Sequence, residues 1–437
     1  MSIFEARSTH IEYTEGQTKA LEKIVTFLNS NDHFFLLAGF SGCGKTTIAE
    51  NIANYAKAKM LAPTNAAVNR LREKIPGNHY FSTIHSQMYV PSDVKGFELE
   101  KGLVANSVYI IDECSMIDSY ILKDLIKETF TKRSKIIFIG DSFQLEPVGD
   151  DPHLFKWEMV EPIYFKPENR FELNEVKRYD GDLLKIATEL RSNPDNKTNS
   201  IVTINGLNTP DLISEKKFTN VLLKDIKNNN SYIVLTSTNQ KRVAYNEKIR
   251  AVKYKTNEGL KYIQMNDSLV SISNNKFYSN GETFTVNGPS LIGEFVIKIP
   301  NYKKDALSEY EALLYRNNGQ IILLIPDLLE PSLHGHQIFK AYDEGLFDIP
   351  EQFEKMCFLI NGRTKEIFGF NKHIIIATYG YAISCHKAQG QEWDNVYIDA
   401  DWLMPAWNTA RWFYTAITRA KCKVQVKQNK YLIINES

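Results

Sequence analysis

The run Gly39-Phe-Ser-Gly-Cys-Gly44-Lys45-Thr46 constrains this chain more than any other stretch of it. It fits G-x-x-x-x-G-K-[ST], a loop whose backbone N–H groups cradle phosphates together with the N-terminus of the helix that follows. The pattern carries weight only between a buried strand and a helix. Both are present: residues 34–38 read as an apolar strand and residues 46–56 as a helix. Gly39, Gly42 and Gly44 let the backbone approach the phosphates, and Lys45 reaches the β- and γ-phosphates. Thr46 offers its hydroxyl to magnesium, with Thr47 beside it in the first helical turn.

Around the loop, strands and helices alternate. Thr14 and Gln17 have capping-box spacing ahead of Leu21, Ile24, Val25 and Leu28, which follow at helical intervals. Short apolar strands at 59–62, 108–111 and 135–139, separated by helical stretches, predict βαβ units on a parallel sheet buried on both faces. Strand 108–111 runs into Asp112-Glu113, which places two carboxylates where α/β sheets bind ligands. Asp112 suits magnesium, and Glu113 suits the base that orients an attacking water. The third strand ends in Gly140-Asp141-Ser-Phe-Gln144-Leu-Glu-Pro147, bringing the Gln144 amide to the same edge as a candidate γ-phosphate sensor.

At 437 residues the chain is long enough for several domains. A second α/β set starts near residue 181, with a helix at 183–190, a strand at 232–236 and a helix at 239–250. Alternating, strand-like pieces with turn signals at Asn280-Gly281 and Asn287-Gly288-Pro289 then predict a β-rich insertion. The α/β rhythm resumes with strands at 373–377 and 395–398 and a helix at 407–417. The expected division is therefore a first α/β domain over 1–180, a second over 181–254 and 373–437, and an insertion over 255–372. Between His85 and the strand at 108, the turn formers Pro91, Ser92-Asp93 and Gly96 suit one hairpin, about 87–106. Phe97 is its expected tip, with Tyr89 on the opposing strand as the alternative.

Composition excludes other classes. Apolar residues make up 43% and charged residues 24%, as in ordinary globular proteins rather than disordered or collagenous ones. The five cysteines lie far apart with no C-x-x-C pair, so neither a zinc site nor a disulfide framework is indicated. No apolar run approaches the roughly 18 residues of a membrane span, and a soluble, cytoplasmic protein with no membrane partner is expected. Lysine plus arginine, 52, equals aspartate plus glutamate, 52, so total charge gives no support to nucleic-acid binding. Its distribution is less even: residues 239–256 hold six basic side chains and one acid, and residues 411–430 six and none. The acidic run 326–355 and the pair His334-Gly-His336 read as solvated loops.

In order and spacing, nine segments together resemble the superfamily 1 helicases, and within them the RecD/Dda type. They are Thr14-Glu-Gly-Gln17, the phosphate loop, Ala62-Pro-Thr64-Asn65, Ser82-Thr83-Ile-His85-Ser, Asp112-Glu-Cys-Ser-Met116, Gly140 to Pro147, Leu173 to Arg178, Tyr381 to Gly390 and Tyr414 to Arg419. The resemblance implies an α/β protein with two RecA-like P-loop motor domains, a short hairpin insertion in the first and an SH3-like one in the second. ATP and Mg2+ would be its cofactors. Gln17 would read the adenine edge, Gly390 and Glu392 would meet the nucleotide, and Arg178 and Arg419 would reach the γ-phosphate. Thr64, Asn65, Thr83 and His85 in the first domain, with Thr236, Asn239, Ser384 and His386 in the second, resemble loops that hold DNA phosphates without reading bases. The implied activity is ATP-driven 5′ to 3′ movement on single-stranded DNA with unwinding of duplex forks. Single-strand-binding or replication proteins are the implied protein partners, and a phage-encoded chain would work in its host's cytoplasm. Two alternatives stay open: an RNA helicase of the same superfamily, and a nucleotide-gated binding or loading factor that does not unwind.

Overall fold

The computed structural model describes residues 12–92, 96–99, 101–141, 143–145, 166–176, 181–192, 202–205, 212–228, 230–256, 260–272, 275, 277–278, 280–301, 306–326, 374–400, 406–429 and 431–435. Arg178, the acidic run beyond Pro326 and the His334/His336 pair lie outside them. Two compact units divide the chain. One runs up to Leu207 and includes Pro405–Thr418; the other comprises Asn208–Met404 and Arg419–Glu436.

The first unit contains α1 (Glu15–Leu28), β1 (Phe34–Gly39), α2 (Lys45–Ala56), β2 (Lys59–Ala62), α3 (Asn65–Lys74), β3 (Phe81–Thr83) and α4 (Ile84–Met88). The hairpin strands β4 (Tyr89–Ser92) and β5 (Gly96–Leu99) follow, then β6 (Val108–Ile111), α5 (Ser119–Lys132), β7 (Lys135–Gly140), β8 (Arg170–Leu173) and β9 (Val202–Asn205). Six strands form one sheet in the order β3-β2-β6-β7-β1-β8, parallel at every pairing. The run Phe34-Phe-Leu-Leu37 shows why. Successive side chains point to opposite faces, so Phe35 and Leu37 pack with Ile110 and Ile137 under α1, α2 and α3. Phe34 and Leu36 pack on the other face with Tyr109, Phe138 and the α5 residues Leu122 and Leu125. A strand buried on both faces has no polar side, and its uninterrupted apolar run is what a covered parallel sheet requires.

Strand order then fixes where function can sit. All six strands point the same way, so their C-terminal ends share one edge. The phosphate loop, Asp112-Glu113 and Gln144 follow β1, β6 and β7. Thr64 and Asn65 follow β2, and Thr83 ends β3, where Ala62 and Thr83 are register partners. The hairpin is antiparallel, with Pro91 opposite Phe97 and Tyr89 opposite Leu99. Tyr89 is therefore a base residue, not a tip. Its hydroxyl donates to Asp124 on α5 at 2.7 Å and its ring lies 5.5 Å from that of His85.

The second unit opens with β10 (Leu212–Ile213), a helix at Glu215–Lys227, β11 (Tyr232–Thr236) and a helix at Asn239–Lys253. It continues with β12 (Ser268–Ser271), β13 (Thr283–Thr285), β14 (Pro289–Asn301), β15 (Ala306–Asn317), β16 (Gln320–Leu324), β17 (Ile374–Tyr379), β18 (Ala382–Ser384), β19 (Trp393–Asp399), β20 (Ala420–Lys427) and β21 (Leu432–Asn435). A parallel five-stranded sheet has the order β10-β20-β19-β11-β18. A mixed six-stranded sheet has the order β13-β12-β17-β16-β15-β14.

Three observations differ from the expected division. Strand β17 does not resume the parallel sheet; it pairs with β12 and β16 and completes the mixed one, and the parallel sheet takes up β18 instead. The helix Gly181–Ser192 belongs to the first unit. So does the helix Ala406–Ile417, which packs against it and carries the buried Trp412, Phe413 and Tyr414. The two sheets of the second unit meet at a buried ion pair. Arg250 donates to Asp267 from Nε at 3.1 Å and Nη2 at 3.0 Å, and neither side chain is more than 3% exposed. Tyr381 and the Gln264 N–H donate to the same carboxylate at 2.9 and 2.7 Å.

Candidate functional site

The phosphate loop departs from the end of β1, where Phe40 N donates to Leu173 O at 3.2 Å. Its glycines are required for two different reasons. A Cβ on Gly39 would lie 2.8 Å from Cys43 Sγ and 2.9 Å from Leu173 O, so the backbone passes too close for any side chain. Gly44 has φ +83, a left-handed conformation that L side chains rarely adopt, and a Cβ there would come within 2.3 Å of Gln17 Nε2. Lys45 curls over the loop and donates to the carbonyls of Gly39 and Phe40, both at 2.8 Å. Thr46 and Thr47 occupy the first turn of α2 and are half-buried.

Gln17 sits against this loop. Its Nε2 donates to Cys43 O at 3.3 Å, and its Oε1 accepts from Thr14 N at 3.1 Å, completing the capping box. One end of the amide thus braces the loop while the other is held by the N-cap of α1. Cys43 is buried, with its thiol pushed up by burial, and burial pushes Cys385 up to about 12. Neither is a reactive thiolate.

Asp112 and Glu113 follow β6 as expected. Burial, and then the neighbouring Glu113 carboxylate, push Asp112 up to about 6, against the opposing influence of Arg70 and Lys45. A buried carboxylate in that position gains from an added cation. Glu113 has φ 52, an uncommon left-handed conformation for a residue with a side chain, and is 8% exposed. Its Oε1 accepts from Arg70 Nη1 on α3 at 3.2 Å.

Gln144 reaches the same edge and is 3% exposed, yet among the described residues its Oε1 has no hydrogen-bond partner. Buried amide oxygens are rarely left so, and one at the strand edge that carries the phosphate loop fits a ligand. Around it lies a network that the sequence reading passed over. Asp141 is 1% exposed and pairs with Arg191, which also pairs with Glu172 and lies 4.4 Å from the Phe40 ring centroid. Tyr414 donates to Asp141 Oδ2 at 2.5 Å and accepts from Ser41 N in the phosphate loop at 3.3 Å. Leu145 N donates to Thr415 Oγ1 at 3.0 Å, and Arg411 Nη1 to Gln144 O at 3.4 Å. A helix more than 260 residues along the chain from Gln144 thereby braces the loop that carries it.

The residues expected to hold phosphates divide by unit. Thr64 and Thr83 are N-caps: their hydroxyls accept from Ala67 N at 3.2 Å and Ser86 N at 3.1 Å. Asn65 opens α3, and His85 is half-exposed beside Tyr89, with its pKa lowered by burial. In the second unit, Thr236 and Ser384 are register partners at the C-terminal ends of β11 and β18. Asn239 opens the helix that Thr238 caps and accepts from Arg242 Nε at 3.2 Å. His386 lies in the turn after β18, also lowered by burial, so neither histidine brings positive charge at neutral pH. Lys387 beside it is pushed down to about 7 by burial and by Arg242. Gly390 has φ +77, and Glu392 precedes β19. Between them, Gln391 Nε2 donates to Gly281 O at 2.7 Å, tying this turn to the Asn280-Gly281 turn of the mixed sheet. Arg419 is 1% exposed, with its carbonyl accepting from Trp393 N at 3.0 Å.

Family models match the chain at residues 12–203, as an AAA domain, and at residues 379–426, as a UvrD-like helicase C-terminal domain. The uncharacterized protein R530 of Acanthamoeba polyphaga mimivirus is 26% identical over 473 residues, spanning 89% of this chain and 93% of its own. The ATP-dependent DNA helicase dda of Enterobacteria phage T4 is 27% identical over 330 residues, spanning 72% of this chain and 68% of its own. The RecBCD enzyme subunit RecD of Buchnera aphidicola subsp. Schizaphis graminum is 25% identical over 475 residues, spanning 95% of this chain and 73% of its own. With both family models and these relatives falling on a chain that carries the phosphate loop, Asp112-Glu113 and Gln144 on one parallel edge, it belongs to the superfamily 1 helicases of the RecD/Dda type.

Proposed function

We propose that this protein is an ATP-dependent DNA helicase that moves 5′ to 3′ along single-stranded DNA and opens duplex ahead of it. The observation that carries the reading is the shared edge of the first sheet. Strands β1, β6 and β7 deliver the nucleotide groups, and the neighbouring β2 and β3 deliver Thr64, Asn65, Thr83 and His85. ATP turnover and strand contact can then be coupled through a rigid scaffold a few strands wide. The glycine cradle and the Gln144 oxygen, unpartnered among the described residues, fit a nucleoside triphosphate. Thr46 and Asp112 would hold Mg2+, which supplies charge neutralisation at the phosphates. Lys45 exchanges its loop carbonyls for phosphate oxygens, and Glu113 orients the attacking water. Among the described residues no helix is long and apolar enough to cross a membrane.

Polarity is tested by strand displacement on matched duplexes with a 5′ or a 3′ single-stranded tail. The 5′-tailed substrate should unwind. Unwinding of the 3′-tailed duplex alone would overturn the direction, and ATP turnover stimulated by RNA but not DNA would overturn the substrate.

A second prediction concerns the hairpin. Phe97, opposite Pro91 on β5, is proposed as the apolar wedge on which the terminal base pair stacks as it opens. Phe97→Ala should then slow duplex unwinding while leaving the melting temperature and the strand-stimulated ATPase near wild type. A packing residue would behave differently, with stability down by roughly 3 to 5 kcal/mol and every activity weakened together.

A further inference from the structure

The ion pair between Arg70 and Glu113 joins two groups that the proposed mechanism keeps apart. Glu113 is the base of the ATP site; Arg70 is carried by α3, whose first turn is a strand-contacting segment in the reading above. The pair is made from Arg70 Nη1 to Glu113 Oε1 at 3.2 Å, with side-chain exposures of 21% and 11%. Helix α3 is anchored through Ala67, Val68 and Leu71, so Arg70 moves with Thr64 and Asn65 as one body. At a rise of about 1.5 Å per residue, the Arg70 Cα lies roughly 8 Å along the helix from Asn65. Side chains on a helix lean toward its N-terminus, and the guanidinium is therefore carried back toward that first turn.

We propose that Arg70 is a positioning residue that holds the Glu113 carboxylate in a resting state, and that a DNA phosphate arriving at the start of α3 draws Arg70 away. The inference rests on the helicase reading. A guanidinium fork binds phosphate as readily as carboxylate, and a phosphate at the helix N-terminus is favoured by the free N–H groups there. While Arg70 donates to Oε1, that oxygen is engaged and the carboxylate is held away from an attacking water. Once Arg70 changes partner, the carboxylate is free to turn to the water. DNA-stimulated hydrolysis follows from an exchange of partners that requires no motion of the sheet.

The test compares Arg70→Ala and Arg70→Lys with wild type in steady-state ATP turnover, without DNA and with saturating oligo(dT), alongside thermal melts. Arg70→Ala should raise the DNA-free kcat roughly ten-fold, the scale of one charge-assisted hydrogen bond. The DNA-saturated kcat and the KM for ATP should stay within about two-fold, so the stimulation ratio collapses. Arg70→Lys keeps the charge without the fork and should fall between. A folded Arg70→Ala protein whose DNA-free kcat is unchanged or lower would overturn the proposal, as would equal loss with and without DNA. Failure of the helicase reading is separately visible as wild-type turnover that DNA does not stimulate.

Discussion

Arg419→Ala is expected to lower DNA-stimulated ATP turnover by about 10³ to 10⁵, the range found when an arginine that reaches a transferring phosphoryl group is removed. In the transition state, charge spreads over the three γ-phosphoryl oxygens. A planar guanidinium can follow that charge with two parallel donors, whereas an ammonium cannot. Arg419 is 1% exposed, so truncation removes packing as well as charge. One further variant separates these effects. Arg419→Lys keeps most of the packing volume and the charge, and should still lose most of the stimulated rate. Glu113→Gln, which keeps shape and abolishes the base, should bind ATP and DNA while turning over about 10² to 10⁴ times more slowly. Near-normal stimulated turnover in folded Arg419→Ala protein would remove Arg419 from the chemistry.

What could be read from the sequence has a physical boundary. The phosphate loop, Asp112-Glu113 and Gln144 were legible because each is a short contiguous stretch leaving a buried strand, and α/β sheets put such stretches on one edge. The braces behind them were not. Tyr414 touches Asp141 and Ser41 across 273 and 373 residues of chain. No local period or spacing encodes such a contact. Asp141 stood inside a recognised segment, and Tyr414 inside another, but only the fold pairs them. Arg70 carried no signal at all, since a single arginine on a helix ordinarily faces solvent. The allocation of residues 374–379 failed for a related reason. A continuous apolar run shows that a strand is covered on both faces, not which sheet covers it. Thr64 and Thr83 show a further limit: an N-cap and a phosphate contact call for the same residue types, and their hydroxyls are engaged as caps.

The ion pair at the junction of the second unit's two sheets should show the largest effect on stability. Asp267→Ala leaves the Arg250 guanidinium buried without its counter-charge, which costs about 3 to 5 kcal/mol where it has been measured in comparable sites. Arg250 cannot escape to water. Two of its other donors are held by Leu260 O at 2.5 Å and Tyr262 O at 2.7 Å, and its centre lies 3.7 Å from the Tyr379 ring centroid. The loss should appear as a fall in melting temperature of roughly 10 °C, at about 2 to 4 °C per kcal/mol for a unit of this size. Apolar replacement of both partners together should recover much of that loss, because the cost lies in the uncompensated charge rather than in the missing attraction. Recovery cannot be complete, since Tyr381 and the Gln264 N–H also donate to Asp267 and would lose their acceptor. If Asp267→Ala melted like wild type, Arg250 would have to find another counter-charge, and the pair would not be what fixes the mixed sheet to the helix Asn239–Lys253.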